Sequence, residues 1–107
     1  MVVGLLRVEL RVPNARSLKD RRSVVKSLKD QVRGRFNVAV AELRPMEKWQ
    51  RATLGLSAVA DERAAVEQVL RQVTGWLRMT HLIELILVDE EYADVWEDDQ
   101  SYAAGAD

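Results

Sequence analysis

Apolar residues recur along this chain with a period that switches between two and about three and a half, and the order of the switches limits the fold more than any other feature. From Val2 to Val12, Leu6, Val8, Leu10 and Val12 alternate with Arg7, Glu9 and Arg11, the pattern of a half-buried strand. Pro13-Asn14-Ala15-Arg16 ends it, because Pro cannot donate to a ladder and Asn tolerates turn geometry. Ser17-Leu18-Lys19-Asp20 then fits a helix start, with the Ser hydroxyl able to accept from a free N–H and Asp20 suited to the positive helix end. Val24, Val25, Leu28 and Val32 follow at helical spacing, and Gly34 is expected to supply the stop.

Phe36 to Leu43 alternates again, with Phe36, Val38 and Val40 on one side. A stretch of hairpin-loop length leads to a third strand from Arg51 to Ala60, with Leu54, Leu56 and Ala58 inward. Asp61 is expected to cap a second helix whose apolar stripe is Val66, Val69, Leu70, Val73 and Leu77, with Gly75 near its end. Leu82 to Val88, short and nearly all apolar, reads as a fourth strand.

The order is therefore β-α-β-β-α-β, an α+β arrangement of the ferredoxin-like, split β-α-β kind. Right-handed crossovers put both helices on one face of an antiparallel sheet ordered 4-1-3-2 and leave the other face open. At 107 residues there is room for one core, expected over residues 1–96. Residues 97–107 carry Glu97, Asp98 and Asp99 without a core-building pattern and read as a loosely held acidic tail.

The chain has no Cys, which excludes disulfides, thiolate metal sites and Cys nucleophiles. Arg7, Glu9 and Arg11 interrupt the N-terminal apolar run, and no run approaches a membrane span, so a cytosolic location is expected. The formal net charge of −1 conceals an asymmetry. Residues 1–35 hold ten Lys/Arg against three Asp/Glu, or +7, whereas residues 36–107 hold six against fourteen, or −8. Such a split points to an anionic partner or to a self-complementary surface.

Much of the positive charge lies on the first helix. At about 100° per residue, Lys19, Arg22, Lys26, Lys29 and Arg33 fall within a sector about 80° wide, beside the apolar stripe, while Asp20 and Asp30 fall outside it. Like charges at these spacings repel by a few tenths of a kcal/mol per pair. The stripe reads either as a phosphate-tracking ridge or as a solvated face answered by the acidic half of the chain. The open-face positions Arg7, Glu9, Arg11, Thr53, Gly55 and Ser57 include no aromatic to stack on a base, so any RNA contact is expected through backbone and shape.

Trp49 and Arg51 form a second candidate site, as anchors of a partner interface or, for Trp49, as a plug at the end of the core. Trp76 and Trp96 read first as packing or interface residues. His81 is the sole His and has no Ser or Asp pattern around it; it is expected to be structural. Gly34, Gly55 and Gly75 are isolated, so no phosphate loop is present. Asp89-Glu90-Glu91 and Glu97-Asp98-Asp99 read as a solvated tail that lacks converging cation-site geometry. Accordingly no catalytic residue, metal or cofactor is expected, and the chain is read as a non-enzyme.

The stretches SLKDRRSVVKSLKDQVRGRFNVAVAE (Ser17 to Glu42) and WQRATLGLS (Trp49 to Ser57) resemble the bacterial YlxP-like family, with similarity spanning roughly Met1 to Trp96. That family is a domain of unknown function with a ferredoxin-like fold and no established catalytic residues. Its genes commonly sit beside those for translation initiation and ribosome maturation factors. The resemblance thus implies a role near ribosomal RNA or ribosomal proteins. The other reading is a protein-interaction module, as a homo-oligomer or with an acidic partner, and with no nucleic-acid role.

Overall fold

The structure is a computed structural model and describes residues 1–43 and 50–96. It is an α+β fold of strands β1 (Val2–Arg11), β2 (Ala39–Leu43), β3 (Arg51–Ala60) and β4 (Glu84–Asp94) with helices α1 (Leu18–Arg35) and α2 (Arg63–Met79). All pairings are antiparallel and the sheet order is β2-β3-β1-β4, which from the opposite edge reads β4-β1-β3-β2.

Alternation along the strands decides which side is buried. Leu6, Val8 and Leu10 of β1 and Ala52, Leu54 and Leu56 of β3 lie under the helices at 3% exposure or less. Their odd-numbered neighbours on β1 and β3 form the open face. Val66, Leu70, Val73 and Leu77 of α2, and Val25, Leu28 and Val32 of α1, close the core. Each fully buried Leu contributes about 2 kcal/mol of transfer free energy. Gly4 of β1 lets α2 approach: a Cβ there would collide with Val66 Cγ1 and lie 2.8 Å from Leu70 Cδ1.

The start of α1 follows expectation, since Ser17 Oγ accepts from Asp20 N–H at 3.1 Å. The Asp20 carboxylate reaches one residue further back than a capping box, accepting from Arg16 N–H at 3.0 Å. Other expected boundaries need correction. Gly34 does not stop α1; it keeps negative φ, and the helix runs to Arg35, where Phe36 N–H bonds Val32 O at 2.9 Å. Consequently β2 begins only at Ala39, and Phe36 and Val38 pack against the core from the connection. Asp61 does not cap α2; Glu62 occupies the cap position without a side-chain hydrogen bond, and the helix passes Gly75 to Met79.

The largest correction concerns β4. It starts at Glu84, not Leu82, and runs through Asp89, Glu90 and Glu91 to Asp94, so those carboxylates lie on a strand instead of a tail. The reason is the length of β1. Its free side offers a ladder from Arg11 to Val2, and β4 pairs along all of it, with an irregularity between Glu9 and Leu10 that leaves Ile86 as the extra residue. Backbone pairing outweighs the weak strand preference of acidic residues. Beyond the strand, Val95 N–H bonds Met1 O at 2.8 Å.

Candidate functional site

The register of apolar residues rotates α1 so that its basic sector points sideways, over the free edge of β2. The sector is centred roughly 110° from the apolar stripe at about 100° per residue. Its C-terminal member fixes the placement, because Arg33 Nη2 donates to Val40 O of β2 at 2.8 Å and Nη1 lies 3.7 Å from Asp30. Lys19, Arg22 and Lys26 are exposed, and Lys29, closest in angle to the stripe, is half-buried. Among the described residues none of these four makes an ion pair or side-chain hydrogen bond. The two carboxylates of the helix are engaged elsewhere, Asp20 with the Arg16 backbone and Asp30 with Arg33. Of the five expected ridge residues, then, four stand as unneutralised cations and Arg33 is tied to the fold.

Arg21, next to Arg22 in sequence, does the opposite. It is 3% exposed, its Nη1 donates to Arg51 O at 2.9 Å, and the same nitrogen lies 3.7 Å from Glu42 Oε2. It fastens the start of α1 to the start of β3. This residue was missed at the level of sequence, although the signal was present: at about 100° per residue Arg21 falls in the middle of the sector shared by Val25, Leu28 and Val32.

Among the described residues, the cations on the open sheet face are all paired. Arg7 donates to Asp89 Oδ2 from Nη2 at 2.6 Å and from Nε at 3.1 Å, and that bond, with the Asp89 charge, raises the Arg7 pKa. Arg51 Nη1 meets Glu9 Oε1 at 2.7 Å, and Arg11 lies 3.9 Å from Glu84. Beside the Arg7–Asp89 pair runs a groove of about 670 Å³, bordered by Leu5, Ala41, Leu43, Gly55 and Ser57 and, on its charged side, by Arg7, Asp89 and Glu91. Gly55 makes room for Leu43, whose side chain would lie 3.0 Å from a Cβ at that position. No aromatic side chain stands on this face among the described residues.

The remaining candidates separate. Trp49 lies outside the described residues, as do residues 97–107. Arg51 is brought to Glu9 and Arg21 as above. Trp76 packs against the core, and the Arg35 guanidinium stands 5.3 Å from its ring centroid. Trp96 is 68% exposed, and His81 is exposed in the turn between α2 and β4. Tyr92, on the helix side of β4, lies under the Arg63 guanidinium at 4.7 Å, and burial, followed by the charge of Glu90, raises its pKa.

Among the described residues no helix is long and apolar enough to cross a membrane. Among solved structures, the chain is similar to the de novo designed protein Foldit4, with 14% identity, 87% of this chain and 96% of that one covered, and a TM-score of 0.47. It is also similar to SnoaB, a cofactor-independent oxygenase from Streptomyces nogalater, with 13% identity, coverage of 90% and 94%, and a TM-score of 0.45. In sequence it is 30% identical over 91 residues to the uncharacterized protein YlxP of Bacillus subtilis (strain 168), covering 85% of this chain and 99% of that protein. Residues 3–90 match the model of the family described as "Protein of unknown function (DUF503)", and the chain belongs to that family.

Proposed function

We propose that this protein is a non-enzymatic cytoplasmic factor that holds ribosomal RNA by its phosphate backbone, through the outer side of α1. One observation carries the reading: Lys19, Arg22, Lys26 and Lys29 keep their charge unanswered among the described residues, although the chain has carboxylates enough to answer it. Four cations spread over about 15 Å of helix can each meet a phosphate along a backbone. The ridge contributes charge without base-stacking groups, which suits recognition by backbone and shape. The choice of ribosomal RNA rests on the gene neighbourhood that the YlxP-like resemblance implies.

Binding to ribosomal RNA fragments is measured by fluorescence anisotropy across a salt series. With four phosphates neutralised, log affinity falls against log salt with a slope of about −3 to −4. Lys19→Glu/Arg22→Glu/Lys26→Glu lowers affinity at least about a hundredfold at low salt and flattens the slope, with an unchanged circular dichroism spectrum. Equal, salt-insensitive binding by both proteins sinks the reading.

A further inference from the structure

We infer that the open face of the sheet is the contact between two copies of this chain, packed face to face about a two-fold axis that runs along the strands. Exposed large apolar side chains concentrate there: Leu5 and Leu87 are 46% and 47% exposed, and Leu43 and Val59 belong to the same face. The described arginines of the face already hold carboxylates of the same face, so among the described residues it offers a polyanion no free cation. Among the described residues, Arg7, Arg11 and Arg51 stand against Glu9, Glu84, Asp89 and Glu91, which leaves the face close to neutral. A face whose charges are balanced and internally paired around exposed apolar side chains approaches its own copy without strong like-charge repulsion.

Shape selects the axis. The β2 and β3 half of the face is built from small residues, Ala39, Ala41, Gly55 and Ser57, whereas the β1 and β4 half carries Leu5 and Leu87. A two-fold axis along the strands lays β2 and β3 of one copy over β4 and β1 of the other. Leu5 of each then enters the groove beside the other's Gly55 and Ser57, and Leu87 meets Leu43, the reciprocal contact that an isologous interface requires. Charge favours the same axis. The β2 edge is flanked by the α1 ridge, and the β4 edge carries Glu84, Asp89, Glu90, Glu91 and Asp94. This axis brings the acidic edge of one copy towards the basic edge of the other; an axis across the strands would stack basic on basic.

Area is consistent with a reversible dimer. The strands span about 600 Å² at about 3.3 Å per residue and 4.8 Å per strand, so a dimer covers roughly 1,200 Å², the lower end of specific interfaces. Both α1 ridges remain on the outside, because the helices cover the opposite side of each sheet.

Sedimentation equilibrium of the full chain from about 1 to about 500 μM tests this. The mass rises from 12.2 kDa towards twice that value with concentration. Ala41→Arg, with no carboxylate opposite it, and Leu5→Glu, set against Glu91, each place an unpaired charge in the contact, weaken association at least about a hundredfold, and stay monomeric with native circular dichroism. Ser57→Lys, on the neighbouring strand, reads the same contact if either fails to fold. Gln68→Arg, exposed on α2, leaves the dimer intact. A wild type that is monomeric throughout overturns the proposal, as does a dimer that survives all the face substitutions. The ridge variant Lys19→Glu/Arg22→Glu/Lys26→Glu weakens self-association only a few-fold and only at low salt, so failure of the RNA reading and failure of the dimer are separate results.

Discussion

On the outer side of α1, Lys19, Arg22, Lys26 and Lys29 have no carboxylate partner among the described residues, whereas on the open sheet Arg7, Arg11 and Arg51 each face one on a neighbouring strand. Both surfaces carry several Lys or Arg, and sequence alone does not say which of them find a carboxylate. The difference is one of geometry. In an antiparallel sheet, residues directly opposite on one face stand about 5 Å apart, so register can set Arg7 against Asp89 and Arg51 beside Glu9. On a helix the neighbours are three and four positions away, and α1 fills most of those positions around the ridge with more Lys and Arg, while Asp30, four positions after Lys26, lies 3.7 Å from Arg33 instead. On the readings proposed above, one surface takes an anion and the other a second copy of the chain.

The sharpest break in the comparison lies between two adjacent arginines. Arg21→Ala should cost about 3–5 kcal/mol, because it leaves Glu42 in a half-buried site without its cation and the Arg51 carbonyl without its donor. Arg22→Ala should cost less than about 0.5 kcal/mol while weakening RNA binding. Urea denaturation of the pair reads this, and equal stability of the two variants removes the division of α1 into a fastening side and a ridge side.

A smaller effect sharpens the ridge itself. Arg33→Ala should cost about 1 kcal/mol, discounted for the partial exposure of its bond to Val40. It should leave the salt slope of RNA binding almost unchanged, whereas Lys26→Ala should reduce that slope by about one with no change in stability. A steeper loss of slope for Arg33→Ala than for Lys26→Ala would return Arg33 to the set of phosphate contacts.

The smallest effect tests the helix side of the sheet against the open side. Tyr92 is neutral when protonated, and burial raises its pKa in the folded protein above the unfolded value near 10. Its contribution is thus complete below about pH 10 and is lost as pH rises through the folded value. Tyr92→Phe should flatten the alkaline fall in melting temperature and leave the curve at neutral pH nearly unchanged. An identical alkaline fall in both proteins would show that the hydroxyl does not titrate in a buried place.

What the sequence determined by itself was the succession of elements, because each depends on local periodicity: alternation over β1 and β3, and a stripe every three to four residues over α1 and α2. It also determined the basic sector of α1, since a helix places its residues by rotation alone. Ends and pairings were decided by tertiary structure. The run from Asp89 to Asp94 has no strand pattern of its own and is extended because β1 offers it a ladder. Gly34 permits a stop but does not impose one, and α1 continues to Arg35. Whether a given arginine is a free charge, an ion pair or a fastening within the fold depends on what the folded chain sets opposite it. Rotation about one helix was legible; the partners that other segments bring to Arg7, Arg33 and Arg51 exist only once the sheet has closed.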